Sequence, residues 1–234
     1  MSIGRAWRRH GWRASTRLAA VAVTTIAGAG LIIAPPVGAA SADKAIQKQA
    51  VLKKSDLPTG WSASTRSEPD DTGLPVCAGI EGVNADLRPL ATQSPDFAKS
   101  NLTLANNSVV VLKSAKAAKG YLAPYRDADA VACLEAVVKS SFANPDISSL
   151  RVNVSPTTTT PQGADEAAGF DIQVTATNAA TAGQPAQTIV LYYDIVFVRV
   201  GRALTNFAFL NPTKSLPEQG ELVDTVISRL ERAL

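Results

Sequence analysis

The second half of the chain carries its clearest hydrophobic pattern. Ile189–Leu210 (IVLYYDIVFVRVGRALTNFAFL) is dense in Val, Ile, Phe and Tyr, the residues that suit a pleated, largely buried surface. Asp194, Arg199 and Asn206 interrupt the run, as in strands with one face on a core and the other partly wet. Gly201 can supply the positive φ of a tight turn, so the run is expected to fold back on itself as a hairpin. Beyond it, Leu222, Val223, Val226, Ile227 and Leu230 fall on one face of a helix, and Ser215 with Glu218 fits a capping box at its start. A hairpin followed by an amphipathic helix is the unit of a helix packed on an antiparallel sheet.

The same reading applies upstream. SVVVLK, within Asn101–Lys113, Leu150–Val154 and Phe170–Thr177 read as strands. Ala115–Tyr125 and Ala128–Phe142 read as helices separated by Pro124, Arg126 and Asp127. Ala118, Tyr121, Leu122 and Tyr125 share a face of the first; Ala130, Cys133, Leu134, Val137 and Val138 share a face of the second. Lys44–Lys54 is a short helical pattern ended by Leu57-Pro58-Thr59-Gly60-Trp61, with Trp61 as the anchor that docks it. Cys77–Asp96 has no firm periodicity beyond a helical turn near Val83–Leu87. The connections favour an antiparallel meander over βαβ units. The expected fold class is α+β: a twisted antiparallel sheet of about five or six strands with helices packed against it.

Charge changes the picture at the N-terminus. Arg5, Arg8, Arg9, Arg13 and Arg17 precede an uncharged, mostly apolar run over residues 18–34, then Pro35-Pro36 and small residues. This is the pattern of a signal peptide over residues 1–42, cleaved after Ala39, Ala40 or Ala42 to leave one domain at 43–234. An uncleaved anchor is the competing reading, since 17 residues reach the lower edge for crossing a bilayer. Arg8-Arg9 leaves the twin-arginine export route open. Taking those five arginines from the 23 Lys+Arg leaves 18 against 20 Asp+Glu, a net −2 in place of +3. A basic surface made for nucleic acid is therefore not implied.

The residue inventory excludes several chemistries. His10, the one histidine, lies in the segment expected to be removed, so Ser-His-Asp or Cys-His catalysis and histidine-ligated zinc are ruled out of the mature chain. No phosphate-cradling glycine loop or nucleophile elbow is present. No catalytic residue, metal ligand or cofactor is assigned. Cys77 and Cys133 are expected to form a disulfide in an exported chain, with two buried thiols as the alternative. Asp127, Asp129, Glu135, Asp171 and Asp194 are available for carboxylate chemistry, but their spacing brings no two together. Asp194 is either at the wet face, paired with Arg199, Arg202 or a lysine, or functional. Trp61, Tyr193 and Asp194 are the candidate ligand-binding residues.

Leu57-Pro58-Thr59-Gly60-Trp61, Cys77, Val109–Leu112 leading into the helix pair that carries Cys133, Val198–Arg202 and Arg229-Leu230 recur in a recognisable order. In that order the chain resembles exported actinobacterial proteins whose domain is like the extracellular sensor domain of the mycobacterial kinase PknH, and more distantly the secreted PsbP-like lipoproteins. The resemblance spans most of residues 45–234. It implies an α+β domain in or outside the cell envelope, and, for the kinase-attached members, sensing of a ligand in a cleft. This chain departs from it in having one cysteine pair where the kinase sensor has two, and in lacking a kinase domain and a lipobox. The expected function is a non-catalytic exported binding or sensor-like domain for a small molecule, a cell-wall component or an envelope protein, touching the membrane only through its signal peptide. The alternative is a carboxylate-based hydrolase acting on cell-wall polymer.

Overall fold

A computed structural model describes residues 37–65, 87, 89–100, 102–142, 147–180, 185–214 and 216–234. Nearly all of the expected signal peptide, and Cys77, lie outside these residues. In chain order the elements are α1 (Val37–Ala50), a 3₁₀ turn at Lys54–Asp56, β1 (Ser62–Ser64), β2 (Thr92–Gln93), β3 (Asp96–Ser100), β4 (Thr103–Val111) and α2 (Ala115–Leu122). A second 3₁₀ turn at Ala123–Arg126 leads into α3 (Ala128–Ser141). β5 (Ile147–Thr157), β6 (Glu166–Asn178), β7 (Thr188–Val200), β8 (Ala203–Asn211) and α4 (Gln219–Ala233) complete the chain.

The hairpin forms where the pattern places it. Val200 pairs with Ala203, and Gly201 between them has φ 54°. From β8 the sheet runs outward on both sides in the order β1-β3-β4-β8-β7-β6-β5, with β2 added on β4 and neighbours antiparallel. The fold class is as expected, but among the described residues the sheet has eight strands, more than the five or six read from the sequence. β1, β2 and β3 account for the difference. They are two to five residues long and mostly polar, so they carry no alternation to detect; pairing supplied by β4 and β3 makes them strands.

Helices cover both faces. The first core packs α2 and α3 on the face carrying Val110, Phe170, Ile172, Ile195, Phe197 and Leu204. The second packs α1 and α4 on the face carrying Phe97, Val109, Val198, Phe207 and Phe209. β8 lies between the two cores and is buried along its whole length. The helical faces read from the sequence are those that pack: Ala118, Leu122 and Tyr125; Ala130, Leu134, Val137 and Val138; and Leu222, Val223, Val226, Ile227 and Leu230. The second core covers only part of its sheet face, and Asn153, Ser155 and Asp171 of β5 and β6 remain exposed on that side.

Two helix ends differ from expectation. α1 starts at Val37 and stops at Ala50, so the expected cleavage positions fall in its first turns, and Asp43 just beyond them pairs with Arg202 at 2.6 Å. α4 begins at Gln219 with Glu218 as its N-cap and no side-chain cap bond, which corrects the capping box read at Ser215 and Glu218. Glu218 instead meets Lys99 of β3 at 3.2 Å: a cross-element ion pair takes the carboxylate the box would have used. Ser215 lies outside the described residues.

Polar side chains tie α1 to the sheet. Asn107, fully buried in β4, accepts a hydrogen bond from the Leu52 N–H at 2.9 Å and donates to Thr205 Oγ1 at 3.3 Å. Thr205 in turn donates to the Ser108 carbonyl at 2.9 Å. Arg229 of α4 donates to both carboxylate oxygens of Asp56, at 2.6 and 2.8 Å, closing the turn after α1 onto the last helix. At Gly169 a Cβ would stand 2.1 Å from Thr157 Oγ1 on the neighbouring strand, so the close β5–β6 approach requires glycine there.

Candidate functional site

The hydrophobic pattern that makes α2 amphipathic also makes it a cover. Its apolar face, with Tyr125 of the following turn, lies over β4, β7 and β8, and a cavity remains between them. Leu87, Val110, Leu122, Phe197 and Leu204 form apolar walls. Tyr125 stacks on Phe197 with ring centroids 3.9 Å apart and 24° between planes. Ala91 and Tyr121, both half-buried, stand where the cavity opens. The space is ≈ 330 Å³ counted with the open solvent at its mouth, but the centre of a water molecule can move through only ≈ 20 Å³ of it, room for about one or two waters.

One wall is polar. Ser108 of β4 and Asn206 of β8 are direct cross-strand partners, and the Ser108 hydroxyl donates to Asn206 Oδ1. Asn206 is 1% exposed, and its amide nitrogen has no hydrogen-bond partner. A buried N–H without any partner costs about 1–3 kcal/mol, so this donor, unmatched by any protein group, is completed by whatever occupies the adjoining space, water or ligand. Among the described residues no Asp, Glu, Lys or Arg lines this space. Burial alone pushes the Tyr125 phenol far above its usual range, so it stays a neutral hydroxyl.

The candidates read from the sequence do not converge here. Trp61 is 4% exposed in the core under α1 and α4, where it anchors and presents no open ring face; its indole nitrogen is buried without a partner. Tyr193 is buried in the first core, on the cavity's side of the sheet but not in its lining. Asp194 lies on the opposite face, half-buried, directly across from Asp171. Arg199 and Arg202 do not reach it. Arg199 pairs with Asp165 and Glu166, and Arg202 with Asp43. Among the described residues no three His, Cys, Asp or Glu side chains come together as a metal site.

Asp194 and Asp171 are a carboxyl pair that spacing did not reveal, because β6–β7 register alone makes them neighbours. Burial, then the charge of Asp171, pushes Asp194 up to about 6 from 3.8, while a hydrogen bond from Gln219 at the start of α4 opposes the rise. Two carboxyls in hydrogen-bond contact are closer than the roughly 5–9.5 Å that glycoside hydrolysis requires, and Asp171 is exposed on an open sheet face. A raised carboxyl pKa makes the folded state bind protons more tightly than the unfolded chain. The stability tied to protonated Asp194 is therefore fully present below pH 3.8 and is lost as pH rises to about 6. Asp194→Asn is expected to stabilise the protein at pH 7 by about 1–2 kcal/mol, discounted for solvent screening, and to have no effect at pH 3.5. Urea unfolding at the two pH values checks this; equal effects at both would refute the shared proton.

Sequence reading missed the cavity's polar wall. In the sequence Asn206 stands out only as an interruption in an apolar run, and Ser108 only as the first residue of the SVVVLK strand. The available signal was a carboxamide in the middle of a strand whose neighbours, Phe207, Ala208 and Phe209, are apolar on both faces.

Fold and site together define a class: an α+β domain whose antiparallel sheet, helix-covered on both faces, encloses a small apolar cavity with one polar wall. No family model matches the chain, and no curated protein matches it. Among solved structures it is similar to the extracellular domain of PknH from Mycobacterium tuberculosis, at 10% identity and a TM-score of 0.38, over 80% of this chain and 95% of that one. That is a distant structural resemblance, and the functional reading below is built on this chain's own geometry.

Proposed function

We propose that this protein is a non-catalytic, extracytoplasmic binding domain of the sensor-like kind, whose ligand is a small molecule held in the cavity beneath α2. The unpaired amide nitrogen of Asn206 in the lining carries this reading: an apolar cavity with a waiting donor is a binding site's composition. The basic and apolar N-terminal pattern supports export, and no described helix is long and apolar enough to cross a membrane. Export in turn supports a Cys77–Cys133 disulfide, which would tie the segment before β2 to α3. The described residues lend the hydrolase alternative little, because the Asp171–Asp194 pair lies on an open sheet face and not in a cleft.

The test is a thermal-unfolding screen of the full chain, recovered after export, against uncharged small molecules. It is run in parallel on Leu204→Phe, which fills the cavity. Compounds that raise the unfolding temperature of the wild type and leave Leu204→Phe unmoved are expected. A screen with no stabilising compound, or with equal shifts in both proteins, would overturn the cavity as the site.

A further inference from the structure

Resting on that reading, we infer the chemical class of the ligand: an uncharged molecule about the size of one substituted ring, bearing a hydrogen-bond acceptor and using it on Asn206.

Three observations lead to this. The first is charge. With no carboxylate, ammonium or guanidinium among the described lining residues, an ion entering would lose its hydration without a counter-charge from them, at a cost of several kcal/mol. The described lining therefore favours an uncharged molecule over a carboxylate, phosphate or amine. The second is polarity. The Ser108–Asn206 pair satisfies itself except at one atom, the Asn206 amide nitrogen, which is a donor. The ligand's matching group is therefore an acceptor: a carbonyl, ether or hydroxyl oxygen. A sugar, with a hydroxyl on nearly every carbon, would bury most of them against Val110, Leu122, Phe197 and Leu204 unpaired.

The third is shape. The stacked Tyr125 and Phe197 rings and the Leu204 side chain make flat apolar walls, which suit a planar apolar body. At rest the centre of a water molecule can move through only ≈ 20 Å³ of the space, room for about one or two waters. A ring-sized ligand is therefore accommodated only as the α2 cover moves outward. Its entry is by the rim, where Tyr121 is half-exposed on an eight-residue helix. The Ser114 cap to the Ala117 N–H closes α2's own first turn, while Lys119, and Arg126 just past the helix, tie it to Glu166 and the Ala167 carbonyl. Gly120, beside Lys119, lowers helix stability by about 1 kcal/mol relative to Ala.

Three probes of similar size separate the claims. Acetophenone has the ring and the acceptor, isopropylbenzene the ring alone, and benzoate the ring and a charge. Each is titrated into the ¹⁵N-labelled full chain and followed by amide shifts, including the Asn206 side-chain amide. Acetophenone is expected to shift Asn206 and its neighbours and to bind about three- to tenfold more tightly than isopropylbenzene, the worth of one buried hydrogen bond. Benzoate is expected to cause no saturable shift there. Asn206→Leu should erase the preference for acetophenone while leaving isopropylbenzene bound. Equal binding of the two neutral probes to the wild type would overturn the acceptor contact and leave the cavity as a binding site. Tight benzoate binding would overturn the neutral-ligand claim. Failure of all three to bind would overturn this inference, while stabilisation by other neutral compounds in the screen above would still uphold the site. The wild-type comparison needs no variant, so misfolding of Asn206→Leu cannot rescue the inference.

Discussion

Reducing the proposed Cys77–Cys133 disulfide is expected to cost the folded protein about 4 kcal/mol, the chain-entropy value for a loop of roughly 57 residues. Most of the effect acts on the unfolded chain, which gains the freedom the bridge removed. α3 should hold its place, because Ala130, Leu134, Val137 and Val138 remain buried against the sheet whether or not Cys133 is bonded. The expected signature is a large drop in the urea midpoint with near-native circular dichroism before the transition. Cys133→Ala should lose as much stability as reduction does. Mass analysis of the secreted protein under non-reducing conditions, finding two free thiols, would remove the bridge from the account.

Asn107→Leu is expected to cost about 2–4 kcal/mol. The substitution strands the Leu52 N–H in a buried site and takes from Thr205 its Asn107 donor; each unpaired buried group costs about 1–3 kcal/mol. The added apolar surface cannot offset this, since Asn107 is completely enclosed by α1, β2 and β8 and leucine's branched end has no room prepared for it. Amide exchange should show the damage locally, with protection lost first around Ala50–Leu52 and kept longest in β6 and β7. Unchanged stability would mean that Trp61, with the Asp43–Arg202 and Asp56–Arg229 pairs, holds the α1 connection without the Asn107 bonds.

These expectations bear on how the two sheet faces divide the work. The α1/α4 face is latched by charge and carboxamide: Asp43 to Arg202, Asp56 to Arg229, Asn107 to Leu52. The α2/α3 face has its ion pairs at the rim, where Arg126 and Lys119 meet Glu166, and its centre depends on apolar packing and the Tyr125–Phe197 stack. A helix held chiefly by apolar contact can yield to a ligand that replaces those contacts. One held by bidentate ion pairs yields less readily, since breaking either partner exposes a half-buried charge. This asymmetry favours the α2 side for binding.

The hairpin at Gly201, the packing faces of α2, α3 and α4, and the α+β class were all legible in the sequence, because each depends on residues close together in the chain. A glycine at the required φ, or five apolar residues on one helical face, needs no distant partner to be recognised. The eight-strand count, the Asp171–Asp194 contact, the loss of the capping box to Lys99 and the Ser108–Asn206 wall arise only when strands far apart in the chain align. β4 and β8, which hold Ser108 and Asn206, are separated by two helices and three strands, so only their register faces one residue with the other. Composition and periodicity determined which segments must be buried. Tertiary pairing decided which polar groups were buried with them, and so where a ligand would find a partner.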